Sequence, residues 1–284
     1  MRLVFDIGGT QIRRAVLDGD RFEKLDKHET AGDTLIKRLE ALIETCLEAY
    51  PIKGVALSFA GQVAKGHILS APNIALGELA GLDFGAWTAK RFGIQGAIDN
   101  DLKCAALAES ALRPQSQALA VLYVGTGLGG AWVEKGSLIR GCRNLAGEIG
   151  HIPFEKAPFT CGCGGDRCLE LFASGSGVGR WAKHLGVRAK TLSDILALEP
   201  DNPDAAFIAQ NFRRGLQHAV ETLAALLNPD TLVLGGGVAL NNPEVLTMAQ
   251  GALEKTFAPA RAISIECSTL GDEANLIGAA KLLG

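Results

Sequence analysis

Apolar runs and turns over the first 30 residues predict three strands in succession. Apolar residues at 3–5 and 12–17 flank a glycine-rich turn, which is the pattern of a β-hairpin. A third strand is predicted at 21–28, after the turn signal Asp18-Gly19-Asp20. The chain therefore begins as an antiparallel sheet.

Helices and further strands follow. Apolar residues with helical spacing predict a helix over 34–49. The other predicted elements are a buried strand at 55–59, a loop at 60–82 that contains Pro72-Asn73, a helix at 83–91, a strand at 95–98 and an Ala-rich helix at 101–112. This βββαβα order predicts a mixed sheet with helices on its faces.

The pattern restarts after the polar, proline-containing segment Arg113-Pro114-Gln115-Ser116. A strand at 119–124, a turn at 125–130 and a strand at 131–134 repeat the layout of residues 3–17. The later elements are a helix at about 204–227, a strand at 231–234, a helix at 243–256, a strand at 262–265 and a final helix. We expect a smaller domain at 1–113 and a larger one at 114–284, with an insertion at about 147–170 and a cleft between the domains.

Composition limits the function classes. The 284 residues are 48% hydrophobic and 21% charged, typical of a globular protein with a sizeable core. A net charge of −3, with no dense Lys/Arg run, argues against a nucleic-acid surface. Because no apolar run approaches the ~18 residues of a membrane span and no signal peptide is visible, we expect a cytoplasmic protein with reduced thiols.

One stretch, 147–170, contains a set of metal-binding residue types. His151, Cys161, Cys163 and Cys168 form a Cys3His set, a common ligand set for tetrahedral zinc. A disulfide to Cys168 is the alternative, ranked below metal because nothing else indicates an oxidising compartment. Four protein ligands leave no open position for water, which predicts a structural zinc.

Two glycine-rich turns, Gly8-Gly9-Thr10 and Gly125-Thr126-Gly127, occupy equivalent positions in the two halves. Such turns let backbone N–H groups approach an anion, and threonine adds a donor. Each alone could be an ordinary tight turn, but the pair suits the phosphates of a nucleoside triphosphate. Asp6, at the preceding strand end, is placed to bind Mg²⁺ through water, or it caps the turn. A third cluster, Gly235-Gly236-Gly237, could pack against an adenosine.

Asp99-Asn100-Asp101 lies between a predicted strand and the Ala-rich helix. One of these residues is expected to cap the helix. Three polar groups exceed what capping requires. A carboxylate here could accept the proton of an attacking hydroxyl, and Asn100 could hydrogen-bond a polyol.

Five segments together closely resemble the successive motifs of the ROK sugar kinases. They are LVFDIGGTQIRRAVLD, DNDLKCAALAE, VLYVGTGLGGAWV, GEIGH with CGCGGDRCLE, and LVLGGGVA. The resemblance covers essentially the whole chain. It implies an actin/hexokinase-like (ribonuclease H-like) α/β fold and ATP-dependent phosphorylation of a hexose or N-acetylhexosamine, at the 6-hydroxyl, as in glucokinases and N-acetylglucosamine or N-acetylmannosamine kinases. It also suggests a homodimer, and a last helix that packs on the N-terminal domain.

The resemblance implies a role for each matching residue. Asp101 would be the general base, and zinc would be bound by the Cys3His set. Sugar ligands would be Gly61, Asn100, Asp101, Glu148, His151 and Glu170. The ATP and Mg²⁺ site would comprise Asp6, Gly8, Gly9, Thr10, Gln11, Gly125, Thr126, Gly127 and Gly236.

Two departures from the family pattern bear on nucleotide and sugar. Gln11 stands where the family often has Lys, and segment 61–82 lacks the usual aromatic-rich form. Rival readings are a transcription repressor, for which no helix-turn-helix precedes the first strand, a sugar sensor without catalysis, and a zinc-ribbon module. Neither of the last two explains Asp101, the flanking carboxylates and the paired turns together, so the kinase is favoured.

Overall fold

The computed structural model of the chain describes residues 1–19, 21–30, 35–71 and 74–284. The first part of the chain contains β1 (Arg2–Ile7), β2 (Gln11–Asp18), β3 (Arg21–Glu29), α1 (Leu35–Ala49), β4 (Gly54–Phe59), β5 (Gln62–Ala64), β6 (His67–Ser70), α2 (Phe84–Phe92), β7 (Gln95–Asn100) and α3 (Asp101–Leu112). The later part contains β8 (Ala118–Val124), β9 (Leu128–Glu134), β10 (Ser137–Leu138), α4 (Gly175–Leu185), α5 (Leu192–Leu198), α6 (Pro203–Leu227), β11 (Thr231–Gly235), α7 (Gly237–Asn241), α8 (Glu244–Glu254), β12 (Ser264–Cys267) and α9 (Ala274–Ala280). Asp20, Thr34 and the dipeptide Pro72-Asn73, which the sequence predictions include, lie outside the described residues.

The two larger sheets have equivalent strand orders. The first is β3-β2-β1-β4-β7 and the second is β10-β9-β8-β11-β12. In each, three strands pair antiparallel and two more are added in parallel. The predicted duplicated mixed sheet is therefore confirmed.

Strand β1 is buried on both faces of the first sheet. Its side chains alternate between the faces, as a pleated strand requires. Leu3, Phe5 and Ile7 pack in one cluster with residues of α1, whereas Val4 packs in another with Ala279 of α9. Helices on both faces explain why β1 is almost uninterruptedly apolar.

Helices α3 and α9 cross at Gly278. A Cβ atom built on Gly278 would lie 1.7 Å from the carbonyl oxygen of Cys104. A side chain larger than hydrogen cannot be accommodated there unless the helices separate. The glycine thus allows α9 to dock beside α3 against the sheet.

The chain divides into two compact units. The first comprises Met1–Leu112, Arg140–Ala146 and Asp272–Gly284, and the second comprises Arg113–Ile139 and Gly147–Gly271. The last helix belongs to the first unit, as the family resemblance suggests, whereas segment 140–146, which the expected division at 113/114 assigns to the second domain, also belongs to the first. Arg113 belongs to the second unit, where its Nε donates to Glu266 at 2.8 Å.

Several local predictions are wrong in detail. Segment 60–82 was expected to be a loop, yet β5 and β6 pair as an antiparallel hairpin there. The turn predicted at 125–130 is shorter, because β9 already begins at Leu128 and pairs with Val124. Within the described residues, no helix is both long enough and apolar enough to cross a bilayer.

Candidate active site

Asp99 ends the buried part of β7 and holds segment 140–146 in the first unit. Its Oδ2 accepts hydrogen bonds from the Arg140 guanidinium, 2.9 Å away, and its Oδ1 accepts from the Asn144 amide at 2.7 Å and from the Asn100 backbone N–H at 2.8 Å. Asp99 is only 2% exposed. With its oxygens engaged in this way, Asp99 serves as a structural anchor and is poorly suited to accept a proton from a substrate.

Asn100 provides the cap of α3. Its Oδ1 accepts a hydrogen bond from the Leu102 backbone N–H at 3.1 Å, and its Nδ2 donates to the Gly61 carbonyl at 3.1 Å and to Asp101 Oδ1 at 2.8 Å. Capping by the side-chain amide satisfies a helix N–H group that would otherwise have no partner. The amide also fixes the rotamer of the neighbouring carboxylate.

Asp101 is the first residue of α3 and is partly buried. Its Oδ1 accepts from the Leu102 N–H at 2.9 Å and from the Asn100 amide at 2.8 Å. Burial, followed by the negative charge of Asp6, raises the pKa of Asp101 from 3.8 to about 6. A carboxylate with this pKa is suited to accept a proton near neutral pH.

Asp6 lies at the end of β1 with its carboxylate fully engaged. Arg13 donates to Oδ2 through Nε, 3.0 Å away, and through a second guanidinium N–H, while Ser58 at 2.8 Å and Asn275 at 3.1 Å donate to Oδ1. A carboxylate offers about four acceptor positions, and these contacts fill them. Asp6 in this arrangement does not fit a magnesium ion, directly or through water, unless Arg13 moves away.

The β1–β2 turn is held from one side by Thr30. The Thr30 hydroxyl donates to the Gly8 carbonyl at 2.8 Å, and its backbone N–H donates to the Thr10 carbonyl at 3.0 Å. Thr10 and Gln11 are exposed. Carbonyl oxygens, which would repel a phosphate, are thus occupied, while the Thr10 side chain is accessible.

The β8–β9 turn has a similar arrangement in the second unit. The backbone N–H groups of Gly175 and Ser176, at the start of α4, donate to the carbonyls of Gly125 at 2.8 Å and Thr126 at 3.0 Å. Thr126 is exposed. Gly127 does not adopt positive φ. A Cβ atom at Gly127 would instead come within 2.6 Å of Glu170 Oε2, a proximity that the sequence could not reveal.

Gly236 lies directly behind the same turn. A Cβ atom on Gly236 would come within 2.6 Å of the Val124 carbonyl oxygen, and its φ of 84° is a conformation that glycine adopts readily. The Cα of Gly236 is 3.9 Å from the position of a Cβ on Gly125. The structure thus brings together two glycine clusters that the sequence assigned to the same nucleotide.

The four predicted metal ligands converge in the second unit. Ligand atoms of His151, Cys161, Cys163 and Cys168 all lie within 4.8 Å of one another. Cys161 Sγ is 3.7 Å from His151 Nδ1, and the sulfurs of Cys163 and Cys168 are 3.3 Å apart. These cysteines are free, with the sulfurs well beyond the bonded distance of about 2.05 Å.

These residues fit a tetrahedral zinc ion. Two thiolates bound at about 2.3 Å are roughly 3.8 Å apart in a tetrahedron, close to the observed spacings. Burial, and then the neighbouring Cys163 thiol, raises the pKa of Cys168 to about 12. Gly165 leaves room, since a Cβ there would lie 3.3 Å from Cys168 Sγ.

The carboxylates around this cluster have different surroundings. Glu148 Oε2 is 3.9 Å from His151 Nε2, so His151 can direct Nδ1 to a metal and Nε2 outward. Glu170 Oε2 accepts from the Leu128 N–H at 3.1 Å, and Oε1 lies 3.5 Å from Cys161 Sγ. Glu148 is therefore available to a ligand, whereas Glu170 also contacts the β8–β9 turn.

The sequence reading did not identify Arg13, Arg140, Asn144 or Ser174 as site residues. A signal existed for Arg13, because a hairpin closed by the turn Gly8-Gly9-Thr10 brings it opposite Asp6, which is the observed register. Arg140 and Asn144 are separated from Asp99 by 41 and 45 positions in sequence, so no local pattern predicts their contacts with it.

The fold is that of hexokinase-like kinases. A ROK hexokinase from Thermus thermophilus is similar over 98% of this chain and 96% of that one, with 29% identity and a TM-score of 0.82. A ROK glucokinase from Streptomyces griseus, solved with glucose and AMPPNP, is 26% identical, with a TM-score of 0.76 over 99% of this chain and 98% of that one.

The sequence itself gives the family. The ROK family model matches residues 2–284, so the chain belongs to the ROK family. An N-acetyl-D-glucosamine kinase from Salmonella paratyphi B is 30% identical over 98% of this chain and 97% of that protein. The resemblance to ROK sugar kinases is confirmed.

Proposed function

We propose that this protein transfers the γ-phosphoryl group of ATP to the 6-hydroxyl of a hexose or N-acetylhexosamine. The observation that carries the proposal is Asp101, a carboxylate at the start of α3 that Asn100 and Leu102 hold through Oδ1 and whose pKa is raised to about 6. Family membership and the kinase names of its relatives supply the reaction class. Glucose, N-acetylglucosamine and N-acetylmannosamine are all candidate acceptors.

In this mechanism Asp101 acts as the general base. Its Oδ2 takes the proton of the sugar hydroxyl, the hydroxyl oxygen bonds to the γ-phosphorus, and the bond to the ADP oxygen breaks. General-base assistance contributes about 10²–10⁴-fold to such a reaction. The rest comes from in-line positioning and charge stabilisation, because phosphoryl transfer asks for little covalent chemistry from the protein.

We assign the phosphates to the two turns. Gly9, Thr10, Thr126 and Gly127 would offer backbone N–H groups and hydroxyls to them. Gly8, Gln11 and Gly125 complete the turns, and Gly236 would face the adenosine. Mg²⁺ would enter bound to the phosphates of ATP, since Asp6 is occupied by Arg13.

We assign the sugar hydroxyls to a set of polar groups. Gly61 and Asn100 are already joined by a hydrogen bond of 3.1 Å. Glu148, His151 and Glu170 would be further sugar ligands. A histidine that directs Nδ1 to a metal keeps its Nε2–H group for a sugar oxygen, which makes His151 a ligand of both.

We further propose that His151, Cys161, Cys163 and Cys168 bind one structural zinc ion. Bound zinc would supply a fixed crosslink, holding the loop that presents Glu148 and His151. The compartment would be the cytoplasm, where ATP is available and the free thiols of this set are kept reduced. A homodimer, which the family suggests, stays a prediction that light scattering can test.

A coupled ATPase screen over hexoses and N-acetylhexosamines tests the function. The expected result is ADP formation that depends on one sugar and is lost in Asp101→Asn. Product analysis by NMR then locates the phosphate on the sugar. A sensor without catalysis would bind a sugar in calorimetry, yet wild type would form no ADP with any of them, and that outcome would overturn the proposal.

A further inference from the structure

Glu170 touches the β8–β9 turn at two points. Its Oε2 accepts a hydrogen bond from the Leu128 N–H at 3.1 Å. The same oxygen would lie 2.6 Å from a Cβ atom on Gly127, and among the described atoms within 4 Å only the Glu170 carboxyl group faces that position. The carboxylate therefore packs against the backbone of the turn.

The segment that carries Glu170 continues directly into the other support of the turn. The Ser174 hydroxyl donates to the Glu170 carbonyl at 2.7 Å and accepts from the Gly177 N–H at 3.0 Å, so Ser174 joins this segment to the start of α4. The next two residues, Gly175 and Ser176, hold the carbonyls of the turn. Residues 170–176 thus bind the turn through both backbone and side chain.

Residues 147–150, which precede His151, contact strand β9. A Cβ atom on Gly150 would lie 2.2 Å from the Leu128 carbonyl oxygen, and the Gly130 N–H donates to the Gly147 carbonyl at 3.0 Å. Each of the two segments that contact the turn and β9 therefore lies close in sequence to a predicted metal ligand, His151 for one and Cys168 for the other. Of the carboxylates in this loop, Glu170 is the one that reaches the turn backbone.

We propose that Glu170 is a positioning residue for the nucleotide: its Oε2 fixes the Gly127–Leu128 backbone in the shape that binds phosphates. This role is additional to its proposed contact with the sugar and rests on the proposed function, since the turn must bind nucleotide. Glu170 would commit Oε2 to the turn, while Oε1, which lies 3.5 Å from Cys161 Sγ, has a second acceptor position for a sugar hydroxyl. One side chain would then serve both substrates.

The first test compares ADP affinity in the metal-loaded protein by calorimetry, without sugar. Glu170→Ala should weaken ADP binding about tenfold, the scale of one lost hydrogen bond to a charged group. Glu170→Gln keeps an oxygen for the Leu128 N–H, so its ADP affinity should stay within about threefold of wild type. Glu155→Ala is the matched control, because the Glu155 carboxylate lies in the same loop and pairs with Arg214 of α6, and ADP binding should be unchanged.

The second test uses the crowded glycine. Gly127→Ala should weaken ADP binding because its Cβ would collide with Glu170 Oε2. Combining it with Glu170→Ala removes the collision, so the double variant should bind ADP no more weakly than Glu170→Ala alone. Hydrogen exchange at the Leu128 amide should be faster in Glu170→Ala than in Glu155→Ala.

The outcomes separate the two proposals. Wild-type ADP affinity in Glu170→Ala, or strict additivity of the two substitutions, overturns the positioning role alone. If wild type binds no ADP, the proposed function fails, and the nucleotide role of Glu170 fails with it, although Leu128 exchange still reports the contact. A loss of sugar binding alone in Glu170→Ala would confine Glu170 to the sugar.

Discussion

Replacing Asp101 by Asn separates a catalytic carboxylate from a helix cap. The pKa of Asp101 rises from 3.8 to about 6 on folding, chiefly through burial and then through Asp6. The folded protein therefore holds a proton between about pH 4 and 6 that the unfolded chain has released, so stability falls as pH rises through that window. Two pKa units correspond to about 3 kcal/mol, an upper value for the cost of the ionised carboxylate above pH 6.

Asp101→Asn removes this charge and keeps the size of the side chain. At pH 8 we expect kcat to fall at least about 10²-fold, the lower end for a lost general base. The same variant should be more stable than wild type by up to about 3 kcal/mol at pH 8, and the difference should vanish below pH 4. In wild type, kcat/KM should fall below about pH 6, as the base becomes protonated.

The measurements are kcat, a calorimetric sugar titration and urea unfolding at several pH values. The sugar Kd should change far less than kcat, because an amide still hydrogen-bonds a hydroxyl. If Asp101 were only a cap, its replacement by Asn would leave turnover near that of wild type, and the free energy of unfolding would be unchanged or lower rather than higher. Near-normal kcat in this variant would therefore refute the assignment, and Asp99 offers no ready substitute, since Arg140 and Asn144 occupy it.

Three further predictions follow from the two units. Elemental analysis of protein purified without added metal should give about one zinc per chain. Cys161→Ala should lower the zinc content and the sugar affinity together. Metal-free protein with normal sugar affinity would contradict this prediction. Thr126→Val should weaken turnover with ATP and leave binary sugar binding intact, whereas impaired sugar binding would mean the turn serves the other ligand. Gly278→Ala should destabilise the protein by about 3 kcal/mol or more, because its Cβ would overlap the Cys104 carbonyl. Gly251→Ala is the control: Gly251 lies in α8 with open space around it, and alanine there should be neutral or stabilising in the same unfolding assay.

Periodicity predicted the elements that have strong local signals. Helix α3 begins at Asp101 and ends at Leu112, as the Ala-rich run and the polar cap indicated. The hairpins of both sheets followed from apolar runs around glycine turns. The metal cluster was predictable too, because its ligands lie close together in the chain and sulfur chemistry restricts their use.

Other elements had weak or misleading local signals. Helix α4 begins in a Gly-Ser sequence of low helix propensity and forms because Ser174 caps it and Val178 and Trp181 are buried. Strands β5 and β6 have only three and four residues, too short for a clear alternation. The sequence did contain a signal for α5, since Thr191 and Asp194 form a capping box.

The site residues also divide into those with a local sequence signal and those without one. Asp101 stood out because carboxylates at the end of a buried strand are unusual, and the family motif pointed to it. The engagement of Asp6 by Arg13 corrects the expected magnesium ligand, and only the three-dimensional contacts of Ser58 and Asn275 show that no acceptor position is left. Contacts between residues far apart in sequence depend on the whole fold, so local patterns do not contain them.

The placement of α9 in the first unit has a consequence for synthesis on the ribosome. Val4 and Ala56 lie near the start of the chain, yet they are buried against Leu276 and Ala279. During translation, that face of the first sheet remains exposed until α9, near the end of the chain, has been synthesised. The second unit, which ends at Gly271, can complete its core earlier. The first unit is thus synthesised first but completes its core last. While translation continues, its exposed apolar strands are a surface to which chaperones can bind.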